Sequence, residues 1–354
     1  MPNKISIITS GGSQLIIQLA TLKSEVKIVD QRIIILYNGV FRESLDQFFK
    51  EVAIFYNCEY IGQINFDFLP EQTSIKKLLK EFMKKRRYSF DKEIINRFPI
   101  LKSLHKADLL IIPIRVKMFS DIVLLSFLKP KKILYSIDGV IDVLPERSFG
   151  KFRFPYLKNY LKKLPINSSV FSPSYLIKDA NRIGVYKEID LKNTIIELSS
   201  LPLITSFKNK YLVENVNYVI FSQHYSLSED VLFDNEIEYY KRIILWICYL
   251  NKDNKILFKP HPRDTKQKIE SIKNLNIGNL VVIEEYFQAV PIEFFIEEFN
   301  KMNSVFITGN SSAPLCFENN DKIISIFSKQ LLSENLNSKI VEFAQSNNLK
   351  LSEI

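Results

Sequence analysis

Short runs of β-branched and aromatic residues alternate with longer stretches in which apolar positions recur at helical spacing. In the first half, strands are predicted at Ile5–Thr9, Arg32–Tyr37, Val52–Tyr56, Asp108–Pro113, Lys132–Ser136 and Ser169–Ser172. In the second half they are predicted at Tyr218–Ser222, Ile256–Lys259, Leu280–Ile283, Ser304–Thr308 and Ile323–Ile326. Leu15–Leu22, Asp230–Leu250 and Ile292–Met302 carry helical spacing. Strands that alternate with helices give parallel sheets covered on both faces, so the fold class is α/β. The polar, proline-bearing passage from Leu201 to Asn217 reads as a linker. Two doubly wound domains, 1–205 and 206–354, would then face each other across a deep cleft.

Length agrees with that division, because 354 residues exceed one ordinary core. The formal charge of +9 favours a polyanionic partner, whether nucleic acid, an anionic membrane surface or a negatively charged substrate. Basic residues cluster between Lys76 and Arg87, and again among aromatics between Lys151 and Lys163. Such runs suit anionic lipid head groups, a polyanionic glycan or single-stranded nucleic acid, although most are solvated helix faces. Three scattered cysteines, Cys58, Cys248 and Cys316, give neither a disulfide framework nor zinc spacing, which fits a reducing cytoplasm. No run reaches the ~20 apolar residues of a membrane span, so the expectation is a cytoplasmic protein, soluble or peripheral at the inner face of the membrane.

Chemistry concentrates at strand ends, where open α/β sheets bind ligands. Lys259-Pro260-His261-Pro262 follows Ile256-Leu257-Phe258, and two prolines stiffen the backbone that aims His261. The alternative for His261 is a packed core histidine, but the adjoining Lys259 and Arg263 favour an anionic ligand. Gly309-Asn310-Ser311-Ser312 follows the strand Ser304–Thr308 with small polar residues able to cradle a phosphate. Ser10-Gly11-Gly12-Ser13-Gln14 turns the first strand into a helix, yet lacks both the dinucleotide fingerprint and the P-loop lysine. Asp138-Gly139 ends another strand and reads either as a turn cap or as a general base. Ser222-Gln223-His224-Tyr225 follows a further strand.

Taken in order, the Ser-Gly-Gly-Ser-Gln loop, the acidic-Gly pair, Lys-x-His-Pro, Pro-x-Glu and Ser-Ser resemble the motifs of bacterial sialyltransferases. The capsular polysialyltransferase and lipooligosaccharide sialyltransferase families are the nearest in character. The resemblance implies a GT-B scaffold of two Rossmann-like domains and an inverting, metal-independent transfer from a CMP-sialic acid donor, with no further cofactor. It implies Asp138 as general base and His261 as the residue that stabilises the departing phosphate. It also implies phosphate binding by Ser311 and Ser312, ribose binding by Glu293, and nucleotide contacts from Lys259, Pro262, Gln223, Gly12 and Gln14. One departure is Ile137, where the families place the first acid of an acidic-acidic-Gly motif, and Asp142 would be the substitute base. The acceptor would be a bacterial capsule or lipooligosaccharide glycan, with no role for nucleic acid. Transfer of another CMP-nonulosonate or of CMP-Kdo is the near alternative. A UDP-sugar transferase or epimerase is a further one, and a non-catalytic polyanion-binding protein is the alternative of another class.

Overall fold

The computed structural model describes residues 3–25, 31–66, 90–113, 124, 127–136, 188–228, 231–311, 313–316 and 320–354. The chain divides into two compact units, one of residues 1–41 and 49–194, the other of residues 42–48 and 195–354.

Unit 1 holds a five-stranded sheet built from β1 (Lys4–Thr9), β2 (Arg32–Asn38), β3 (Glu59–Ile64), β4 (Leu109–Pro113) and β5 (Ile133–Ser136). Every pairing is parallel and the order is β3-β2-β1-β4-β5. Ile8, Ile34, Leu36, Leu110, Ile112 and Ile133 pack on one face of it with Phe127 and Leu128. Such near-continuous apolar strands are expected of a sheet covered on both sides.

The expected strand Val52–Tyr56 is instead the end of the helix Glu43–Phe55. Phe48, Phe49, Val52 and Ala53 are buried while Ile54 is 81% exposed, a helical rather than an alternating pattern. The edge strand β3 lies just beyond, and its half-buried residues give a weak sequence signal. The expected strand Ser169–Ser172 lies outside the described residues.

Unit 2 holds a six-stranded parallel sheet of β6 (Tyr218–Phe221), β7 (Ile256–Lys259), β8 (Leu280–Val282), β9 (Val305–Thr308), β10 (Ile323–Phe327) and β11 (Lys350–Glu353). The order β11-β10-β9-β6-β7-β8 places the switch point between β6 and β9, where the chain changes direction across the sheet. The helix Phe233–Leu250 buries Tyr239, Tyr240, Ile243, Ile244 and Ile247 on one stripe against Ile220, Phe258 and Ile307.

Two expectations need correction here. Leu201–Asn217 is not a linker: it contains the helix Pro202–Tyr211, whose Phe207 stacks on Phe295 at 4.4 Å between ring centroids. Ile292–Met302 begins as the 3₁₀ turn Ile292–Phe295 before becoming the helix Ile296–Lys301. Among the described residues no helix is long and apolar enough to cross a membrane.

Candidate functional site

The carboxyl ends of β7, β6 and β9 lie side by side, and each opens into one of the polar loops singled out above. Lys259 closes β7 and is buried, its ammonium donating to the Gln288 carbonyl and, at 3.4 Å, to that of Pro260. Burial pushes its pKa down to about 8 against the opposing fields of Glu293 and Asp264. Glu293, in the 3₁₀ turn Ile292–Phe295, is thus within electrostatic reach of Lys259.

His261 is held on both sides of its backbone. Its N–H donates to Asp264 Oδ2 at 2.8 Å, and its carbonyl accepts from Asp264 N–H at 2.8 Å and from Gln288 Nε2 at 2.5 Å. Its Nδ1 accepts the Arg263 N–H at 3.1 Å. An accepting Nδ1 assigns the ring proton of a neutral imidazole to Nε2. Burial, then the field of His224 and the cations Arg263, Lys259 and Lys268, push the imidazole down to about 2. His261 is therefore a neutral N–H donor at ordinary pH, with a fixed tautomer.

Beneath it lies a bridge of three buried charges. Lys268 Nζ contacts Glu236 Oε1 at 2.5 Å and Asp264 Oδ1 at 3.0 Å, with all three side chains at most 3% exposed. The same ammonium donates to the Gln223 carbonyl and sits 4.6 Å from the Tyr240 ring centroid. Glu236 accepts the N–H groups of Tyr225 at 3.1 Å and Ser226 at 2.9 Å. Gln223 N–H donates to the Tyr240 hydroxyl at 2.7 Å. The loops after β6 and β7 are in this way tied to one buried ammonium.

On the β9 side, Ser311 N–H donates to Thr308 Oγ1 at 2.8 Å, and Ser311 Oγ accepts the Ala313 N–H at 3.3 Å. Its hydroxyl therefore caps the short turn Ala313–Cys316. The Tyr225 hydroxyl donates to Asn310 Oδ1 at 3.2 Å, joining the β6 loop to the β9 loop.

Of the residues singled out from the sequence, Lys259, His261, Pro262, Glu293, Gln223 and Ser311 all belong to unit 2, on or beside these three strand ends. Pro262 is exposed at the turn. Gly12 and Gln14 belong to unit 1, in the first turn of the helix Gly12–Glu25 that follows β1. There Gln14 Oε1 accepts the Ser10 N–H at 2.8 Å and the Ser10 hydroxyl at 2.6 Å, closing the loop on itself. Asp138, its neighbour Ile137, Asp142, Ser312 and both basic runs lie outside the described residues.

Sequence reasoning missed Asp264, Lys268, Glu236 and Gln288. Only Asp264 carried a local hint, three positions after His261; Glu236 and Lys268 are 32 residues apart and meet only in the fold. His224 carried a signal, its place after a strand, and its ring lies 4.3 Å from that of His261, centroid to centroid, inclined by 31°. It also lines a pocket of about 400 Å³ with Leu227, Val231, Phe233 and the buried bridge.

Residues 154–315, 162 of the 354, match the Alpha-2,8-polysialyltransferase (POLYST) family. The matched stretch contains Lys259, His261, Glu293 and Ser311; Asp138 precedes it. No curated protein matches the chain. Among solved structures, the 2,6-sialyltransferase of Vibrionaceae Photobacterium sp. JT-ISH-224, in complex with the donor product CMP and the acceptor substrate lactose, is similar. It is 14% identical, with a TM-score of 0.51 over 98% of this chain and 78% of that one. The UDP-GlcNAc 2-epimerase of Neisseria meningitidis follows at 12% identity and a TM-score of 0.46 over 97% and 91%. The E. coli heptosyltransferase stands at 10% and 0.45 over 97% and 99%. The family match bears out the resemblance to bacterial sialyltransferases and the reading of the chain as a glycosyltransferase. The two parallel-sheet units bear out the GT-B class.

Proposed function

We propose that the chain moves a sialic-acid-type sugar from a CMP-activated donor to a hydroxyl of a bacterial surface glycan, inverting the anomeric configuration without a metal. The observation that carries this reading is His261: an imidazole kept neutral by burial, its proton assigned to Nε2, at a strand end next to the sheet's switch point and within the family match.

In the reaction so proposed, the acceptor hydroxyl attacks the anomeric carbon as Asp138 takes its proton. The bond from that carbon to the phosphate oxygen breaks, and its electron pair leaves with CMP. The departing phosphate gains charge as it leaves, so a donor already aimed at it favours the transition state over the ground state. Nε2–H of His261 is that donor, with the Ser311 and Ser312 loop completing the phosphate site. Lys259, Pro262 and Gln223 lie along the nucleotide, and Glu293 holds the ribose hydroxyls. Lys259, being bonded to the Gln288 carbonyl, contributes positive potential from behind the loop. The excess of 48 basic over 39 acidic residues favours an anionic glycan and work at the inner membrane face.

The test is calorimetric titration with cytidine monophosphate and uridine diphosphate in metal-free buffer, followed by transfer assays with a panel of CMP-activated sugars. We expect selective binding of the cytidine nucleotide, and His261→Ala and Asp138→Ala to lower turnover by at least ~10²-fold while leaving the fold intact. Binding of uridine diphosphate in place of cytidine monophosphate, or near-normal turnover in either folded variant, would overturn the corresponding assignment.

A further inference from the structure

We infer that His224 is a second phosphate-binding residue of this site: its imidazole and that of His261 hold the nucleotide phosphate together and take up one proton with it. The inference rests on the function proposed above and adds a residue to it.

Geometry is the first support. The two ring centroids are 4.3 Å apart with the planes inclined by 31°, one in the loop after β6 and the other in the loop after β7. Their spacing is built rather than incidental. His224 is bracketed by the buried bridge, with the Gln223 carbonyl before it bonded to Lys268 and the Tyr225 and Ser226 N–H groups after it bonded to Glu236. His261 is anchored to the same bridge through Asp264. Burying an ammonium with two carboxylates is expensive in desolvation, and apolar residues would fill that volume at less cost. What the bridge delivers is a fixed distance between two imidazoles.

Charge is the second support. The neighbouring cations are largely committed: Lys268 to Glu236 and Asp264, Lys259 to the Gln288 carbonyl and the field of Glu293. Arg263 is exposed, and its backbone N–H already serves His261 Nδ1. With Lys268 held in the bridge and Lys259, at about 8, already mostly charged at pH 7.5, the imidazoles are the groups whose proton occupancy an arriving anion changes most. Two charged rings 4.3 Å apart would oppose each other, and His261 Nδ1 already accepts the Arg263 N–H, so the pair accepts a single proton, at His224. Burial holds both neutral while the site lacks an anion. A phosphate dianion beside them reverses that balance: the pair takes one proton from a buffer acid to form one N–H bond, and no bond of the nucleotide is made or broken.

The experiment is titration with cytidine monophosphate at pH 7.5 in two buffers of different ionisation enthalpy, which counts protons. Wild-type protein is expected to take up about one proton per nucleotide bound. His224→Gln, which keeps polarity but cannot titrate, is expected to lose most of that uptake and to bind roughly 10- to 100-fold more weakly, the range for a hydrogen bond to a charged group. Ring nitrogen spectra of the wild-type protein give a readout independent of any variant's folding: His224 should move toward imidazolium as the nucleotide saturates, while His261 keeps the unprotonated Nδ1 that accepts the Arg263 N–H. Unmoved His224 resonances, or unchanged affinity and proton count in His224→Gln while His261→Gln weakens binding, would leave His261 as the phosphate histidine alone and sink the inference. No cytidine nucleotide binding by the wild type would instead sink the donor assignment and this inference with it.

Discussion

His261 takes its character from the residues that follow it in the chain. Pro262 makes the turn, Arg263 N–H occupies Nδ1, and Asp264 catches the backbone N–H of His261 itself. A histidine so placed is half-buried and keeps its proton on Nε2, and this has a consequence for stability. Its folded pKa, about 2, lies below the ordinary value of 6.5, so between those values the folded state binds fewer protons than the unfolded one. The stability associated with the neutral ring is present above pH 6.5 and is lost as pH falls through that window, with His224, also lowered by burial, acting in the same direction. Between pH 6.5 and 5 the His261 contribution is up to about 2 kcal/mol, at 1.36 kcal/mol per unit. Denaturant midpoints at pH 7 and pH 5 should therefore draw apart in the wild type and close up in His261→Gln. An equal loss in both proteins would mean that the ring is not buried as a neutral base.

Elements constrain one another at the β6 and β9 ends through Gly309. A Cβ built there would run into the Tyr225 hydroxyl, and its backbone is not in the left-handed region, so glycine is required for space rather than for conformation. Gly309→Ala should cost roughly 1–3 kcal/mol as an overpacked site. Adding Tyr225→Phe removes the obstructing oxygen and should restore part of that loss, although the Asn310 bond goes with it. A double variant no more stable than Gly309→Ala alone would show that the tyrosine is not the obstacle. Lys268→Met tests the bridge more severely, because it leaves Glu236 and Asp264 buried without their cation and should cost about 3–5 kcal/mol. The central strands β1, β2, β4, β6, β7 and β9 were legible because their buried runs are short, apolar and bounded by turn residues. Val52–Tyr56 misled because a β-branched run that also fits helical spacing is ambiguous until its burial is known. β3 and β11 are edge strands, and half-exposed edges carry little apolar signal. At the site, His261 and Ser311 could be found from local context, whereas Glu236, Lys268 and Gln288 act through contacts that no local pattern encodes.

The division of the whole chain into two units predicts how a ligand distributes its stabilisation. Alternating strands and helices made two parallel sheets legible, but the assignment of Arg42–Phe48 to the second unit was not, since it depends on packing such as the contact of Phe48 with Phe294 at 5.8 Å between ring centroids. The residues assigned to the phosphate in unit 2 come from strand ends of a single sheet, so a nucleotide without its sugar should stabilise that sheet selectively. At a concentration of 100 times its dissociation constant, a ligand that binds only the folded form adds about 2.7 kcal/mol to unfolding, which slows exchange through global opening about 100-fold. Amide exchange with cytidine monophosphate should therefore slow in β6, β7 and β9 by up to that factor, while β1, β2 and β4 of unit 1 exchange at their ligand-free rates. A polyanion held by distributed surface charge would act differently, protecting basic segments wherever they lie and losing its effect steeply as salt rises. Protection that appears equally in both sheets, or that vanishes between 50 and 200 mM salt on the scale set by counterion release, would count against a built nucleotide site in unit 2 and in favour of such a surface.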